Sequence, residues 1–204
     1  MGKISTLIII FFIVIPAEIF AGKHKTVVEF SADVVRTVPG KAEPISKGRM
    51  VVSRYGIRTE GKKGGESVVF IFRPKKKLVW TLFPEKKNYE ERLGLVIDRP
   101  PLPMDANSPC QKDRAVVCQL LGNTVLHNRS VEHWLLSRRT KKKLKPVVQL
   151  WIDTNLKVAI RETFLDGMTI ELQNLQEKPQ NIKSFIIPDG YTKKALPEKL
   201  PAKK

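Results

Sequence analysis

From about residue 27 to residue 175 apolar residues recur at every second position over short stretches broken by turn-forming clusters. That period suits half-buried antiparallel strands and leaves a helix without a continuous apolar stripe. In MTIELQ, Met168, Ile170 and Leu172 alternate with Thr169, Glu171 and Gln173, and the Asp166-Gly167 pair ahead of it predicts a two-residue type I′ turn, so that 156–175 reads as one hairpin. The run at 147–152, ended by Asp153-Thr154-Asn155, adds a third strand. By the same reasoning 27–37, 49–58, 67–73, 78–83, 115–121 and 130–138 are expected strands. Pro39-Gly40, 61–65, 74–77 and Gly122-Asn123 are the expected turns. Only 84–95 has helical character, and 99–109 (RPPLPMDANSP), with four prolines, is a loop suited to act as a lid. So many one-sided strands with so little helix to cover them force the sheet to curl on itself. It closes as a packed barrel, pairs as a sandwich, or stays open around an apolar cavity; the pattern alone leaves the three open.

The start of the chain places that sheet outside the cytoplasm. Lys3 precedes LIIIFFIVI at 7–15, which is too short to span a bilayer, and Ala21 offers a cleavage point, so 1–21 reads as a signal peptide. Its removal takes away Lys3 and Glu18, and the formal charge of +17 stays with the mature chain. In an exported, periplasmic protein that surface is directed to anionic lipid headgroups or acidic polymers, and nucleic acid is excluded as a partner. Cys110 and Cys118 are close enough for a local disulfide in an oxidising compartment. The expected organisation is one domain over 22–191 followed by a basic, disordered tail over 192–204, and the expected state is a monomer.

No catalytic constellation emerges. His24, His127 and His133 form no metal-binding pattern, no GxSxG or P-loop is present, and Asp153, Glu162, Asp166 and Glu171 fall in expected turns or on polar strand faces, where they read as solvated. The expectation is a protein without metal, cofactor or enzymatic activity. Its densest charge is a hairpin loop carrying Arg138, Arg139, Lys141, Lys142, Lys143 and Lys145, which reads as a docking surface for an anionic membrane or an acidic partner, or as a solvated hairpin tip.

The segments GRMVVSRYGIRTEG, VFIFRPKKKLVWTLFPEKKNYEE, CQLLGNTVLHNRSVEHWLL, LWIDTNLKVAIRETFLDGMTIELQNLQ and FIIPDGY, in this order, resemble the LolA/LolB-like superfamily of outer-membrane lipoprotein-sorting carriers. The resemblance implies a mainly β fold in which one strongly curved antiparallel sheet forms a half-open barrel, its concave face holding acyl chains beneath short helices or loops. It makes lipid or lipoprotein acyl chains the expected cargo and Arg58, in GIRTE, the counterpart of an arginine at the cavity mouth. Trp80, Leu82, Trp134, Leu136, Trp151, Phe164, Ile170 and Leu172 are the candidate cavity liners. The competing expectation is an envelope interaction module with a packed core that binds through its lysine-rich loops.

Overall fold

A computed structural model describes residues 27–94, 115–140 and 143–195. The signal peptide, the proline-rich loop, Cys110, Lys141, Lys142 and most of the basic tail lie outside these described residues. The strands are β1 (Phe30–Thr37), β2 (Ser46–Ser53), β3 (Gly56–Lys63), β4 (Glu66–Arg73), β5 (Leu78–Phe83), β6 (Asn88–Leu93), β7 (Val116–Leu126), β8 (Arg129–Arg139), β9 (Leu144–Asp153), β10 (Ala159–Phe164), β11 (Thr169–Glu177) and β12 (Thr192–Lys193). They form a single sheet in the order β12-β6-β5-β4-β3-β2-β1-β11-β10-β9-β8-β7. All pairings are antiparallel except β12 with β6. The fold is therefore the expected mainly β one, a single curved sheet that does not close into a barrel.

Several expectations change in detail. The described part of the expected helix over 84–95, residues 84–94, is not helical: a 3-10 turn at Pro84–Lys86 leads into β6. The charges that suggested a helix belong to a strand on which Glu91 accepts a hydrogen bond from Trp80 Nε1 at 2.9 Å. The strand expected over 49–58 is two, because Arg54-Tyr55 is a hairpin turn in which Ser53 Oγ accepts the Tyr55 N–H. Gly56 after that turn is obligatory, since a Cβ there would stand 2.2 Å from the Phe72 carbonyl oxygen. Gly122-Asn123 is no turn: β7 passes through it with a bulge, and the hairpin turns instead at His127-Asn128, whose φ values of 51° and 59° are those of a type I′ turn. Asp166-Gly167 does close a hairpin, but through the three residues Leu165, Asp166 and Gly167, with positive φ at Gly167 alone. Finally, Thr192 and Lys193, expected in the tail, join the sheet edge, where Lys193 Nζ meets Glu91 Oε1 at 2.5 Å.

The sheet curls strongly. β8 and β11 are three places apart in the order, about 14 Å on a flat sheet at the usual ~4.8 Å spacing. Yet Arg129 of β8 bonds Glu177 of β11 at 2.5 Å, and His127 at the β7–β8 turn reaches Glu171 of β11 at 2.5 Å. The main core records the same bend: Val131 of β8 with Leu156 and Val158 of the β9–β10 connection packs into one cluster with Phe30, Ala32, Met50, Val52, Ile57 and Leu172. A second core lies on the opposite face of β2–β6, where Val51, Val69, Ile71 and Leu82 surround Phe185, which is fully buried. Phe185 ends a 3-10 turn (Ile182–Phe185), so the chain after β11 supplies the cover for that face.

Candidate functional site

Cross-strand pairing assigns each candidate liner to a face. Trp134 pairs with Leu150, Leu150 with Glu162, Glu162 with Ile170, and Ile170 with Arg36. Leu136 connects through Val148 to Phe164, and Leu172 is opposite Val34. Trp134, Leu136, Phe164 and Ile170 are therefore linked along one side of β8–β11; the first three belong to a cluster of their own, while Leu172 packs with Phe30 in the main core. Trp151 runs through Arg161 and Glu171 to Val35, and Trp80 through Ile71 and Arg58 to Val51; Leu82 shares the side of Trp80. Trp80 and Leu82 lie on the face opposite Phe30; Trp151 leaves β9 on the side opposite Trp134, the side of Val131, and packs against the main core that holds Phe30.

The environments differ as well. Trp80 and Leu82 pack in the cluster filled by Phe185, so their pocket is occupied by the chain's own side chain. Arg58 lies beside it: its Nη1 donates to the Ser184 carbonyl at 3.1 Å and its Nε to Glu60 Oε1 at 2.6 Å, holding the C-terminal segment in place. Trp151 stacks on His133 with centroids 4.3 Å apart and planes inclined by 12°, beneath the Arg161 guanidinium. On the side of β8–β10 away from Trp151, in contrast, Trp134, Leu136 and Phe164 gather over a floor of Val148, Leu150 and Ile152. The floor is buried, the three large side chains above it are half-buried, and Leu120 of β7, opposite Trp134, is 47% exposed. This largely apolar wall across β7–β10, interrupted by Glu162 and by Glu132, which accepts the Trp134 Nε1–H at 3.0 Å, is the best site the described residues offer for a hydrocarbon ligand.

A separate hollow of about 510 Å³ lies where the β7–β8 turn curls over β11, with Ile160, Leu172 and Leu175 below and His127, Asn128 and Asn174 at its rim. Of the candidate liners only Leu172 borders it. Its half-polar wall departs from the continuous apolar lining expected of an acyl-chain cavity.

Two carboxylates that the sequence presented as solvated organise this region. Asp153 is 1% exposed. One oxygen accepts the N–H groups of Asn155 and Leu156, at 2.8 and 2.7 Å, and the other binds Arg129. Chain composition gave one usable signal, the Asp-Thr-Asn turn, in which an Asp side chain caps its own backbone; the arginine partner, 24 residues away, gave none. That bond to Asp153, then the one to Glu177, raises the Arg129 pKa further, with burial opposing. Glu171 is the second. Burial works against its charge, but hydrogen bonds from His127 and Arg161 outweigh it and hold the carboxyl below its usual pKa. A carboxyl so depressed contributes stability that is present above its unfolded pKa, about 4.3, and is lost as the pH falls through the lower folded value. Glu171→Gln is therefore expected to flatten the acid limb of the urea-midpoint profile below about pH 5, and an unchanged limb would show that the pairing adds nothing.

Comparison with known proteins places the fold. No protein-family model matches the chain, and no curated protein matches it in sequence. Among solved structures, an uncharacterized conserved protein from Thermus thermophilus is 16% identical with a TM-score of 0.50, over 82% of this chain and 90% of that one. PNGF-II is 7% identical, also with a TM-score of 0.50, and this chain, 81% of it matched, covers 31% of that longer protein. A LolA superfamily protein from Nitrosomonas europaea is 10% identical with a TM-score of 0.35, over 78% of this chain and 90% of that one. At these identities the two likenesses at a TM-score of 0.50 are likenesses of fold alone.

Proposed function

We propose that the protein is a periplasmic carrier or sensor that binds lipid or lipoprotein acyl chains non-covalently along the Trp134 side of β7–β10. The observation that carries the reading is the cluster of Trp134, Leu136 and Phe164, half-buried over a buried aliphatic floor and bordered by exposed Leu120. Each methylene removed from water there contributes about 0.8 kcal/mol, so a short stretch of chain gives useful affinity without any covalent step. The resemblance of the sequence to the lipoprotein-sorting carriers points the same way. Among the described residues no cluster of metal-ligating side chains occurs. In this reading residues 1–21 direct export, and Cys110 bridges Cys118, adding about 2–3 kcal/mol through the shortened loop. The absence of a free cysteine among the described residues supports that bridge. Arg138, Arg139, Lys143 and Lys145, all exposed, form with Lys141 and Lys142 a surface for an anionic membrane or an acidic envelope partner.

A fluorescent fatty-acid probe tests the site. Saturable binding at micromolar concentration is expected, reduced at least about ten-fold by Leu136→Glu, which places a charge in the apolar wall, and unaffected by Trp151→Ala on the other face. Equal losses in the two variants, or no binding by the unaltered protein, would overturn the assignment.

A further inference from the structure

The two ends of the sheet are built differently. At one end β6 carries Glu90, Glu91 and Arg92, and the short β12 lies against it, pinned by the Lys193–Glu91 pair. Charge and a covering strand are the usual guards of a sheet edge. At the other end β7 (VVCQLLGNTVL) runs for 11 residues without one charge, and among the described residues no further strand of the sheet lies beyond it. Leu120, Leu121 and Val125 are exposed on it, at 47%, 46% and 67%. In a chain of net charge +17 this is, among the described residues and beyond Cys118, a long edge without a guarding charge.

The surroundings of that edge are asymmetric. Arg138 pairs with Val116 at the start of β7, Lys145 is opposite Arg138, and the exposed Arg139 and Lys143 extend the same cationic corner. No ion pair engages these four among the described residues. At the far end, beside Leu126, Arg129 is already neutralised by Asp153 and Glu177.

We propose that β7 is a docking edge for an extended segment of an acidic envelope protein, which adds as an antiparallel strand along Gln119–Leu126 and sets carboxylates beside Arg138, Arg139, Lys143 and Lys145. Charge complementarity selects the partner: a second copy would bring another cationic body to the same corner, whereas an acidic chain is steered to it. Antiparallel pairing fixes the order within the segment. Its apolar, alternating part lies against the later half of β7 and comes first, and its acidic run follows toward the Val116 end. The inference deepens the docking part of the proposed function and is independent of acyl-chain binding.

The test uses two synthetic peptides of one composition, alternating Val and Thr followed by a Glu run, and the same residues with the Glu run first. Fluorescence anisotropy with the mature protein is expected to show the first order binding about ten-fold more tightly. In a two-residue hairpin the pair flanking the turn, Leu126 and Arg129, is the hydrogen-bonded one, so Val125 directs its N–H away from β8. Val125→Pro removes that donor without breaking a bond to β8, and Val125→Lys adds a guard charge. Each is expected to weaken the preferred peptide about ten-fold, the size of one or two lost hydrogen bonds, while the thermal midpoint and fatty-acid binding stay unchanged. Equal affinity for both orders would overturn the proposal, as would indifference to both variants. So would dimerisation in analytical ultracentrifugation that Val125→Pro abolishes, since that would assign the edge to a second copy.

Discussion

Replacing Asp153 by Ala is expected to lower the stability of the protein by about 3–5 kcal/mol, the usual loss when one partner of a buried ion pair is removed. The substitution leaves Arg129 with Glu177 alone, strips two backbone N–H groups of their acceptor at the β9–β10 turn, and opens a void beside Val131 and Val158, both in the main core. Because Arg129 connects β8 to β11 across the curl of the sheet, the loss reaches beyond the local turn. Asp153→Asn keeps an oxygen for the two N–H groups and gives up the charge, so its effect is expected to be smaller. Urea denaturation of the three proteins provides the comparison; a cost for Asp153→Ala below about 1 kcal/mol, the range of exposed pairs, would mean that the curl does not depend on this contact.

Phe185→Ala is the second large effect, expected at about 3–5 kcal/mol for a fully buried aromatic ring. The ring fills the space over Val51, Val69, Ile71 and Leu82, and Trp80, Tyr55, Tyr89 and Tyr191 close around it. Without it the C-terminal segment is held by the Arg58 bond to the Ser184 carbonyl, the packing of Tyr191 and the pairing of β12 with β6. Hydrogen exchange in β4 and β5 is expected to accelerate along with the fall in stability, while the apolar wall of β7–β10, a separate cluster, keeps its fatty-acid affinity. Loss of fatty-acid binding in this variant at temperatures where it remains folded would move the ligand site to the face that Phe185 covers.

The fold was legible in the alternation itself. A period of two survives in any half-buried strand, whatever its partners, so β5 appears with its observed limits and β4, β8, β10 and β11 within a few residues. What local pattern does not encode is which turn residue adopts positive φ. His127 and Asn128 look unremarkable beside Asp166-Gly167, yet they form the tight turn, because the bulge near Leu121 shifts the register by one and carries β7 five residues past its expected end. Strand β6 was missed for a related reason, since an edge strand tolerates charge on both faces and so loses its alternation.

The site was less legible than the fold. Aromatic content marks strands, but only pairing decides the face, and a single bulge or hairpin reverses it. Trp134 and Trp151 are both aromatic residues of expected strands, and the observed registers put them on opposite sides. The filling of the face of Trp80 by Phe185 depends on a segment more than 100 residues away in sequence. The same holds for Asp153, whose burial comes from a partner on another hairpin and not from its own polar turn.

Native mass spectrometry of the mature protein, gently purified from the envelope of a bacterial host, tests acyl-chain binding most directly. A second mass series is expected, displaced by a lipid or acyl-bearing adduct, which collapses to the bare protein on activation and is absent from Leu136→Glu. Only bare protein in both samples, or the same adduct on both, would contradict a ligand site on the wall of β7–β10.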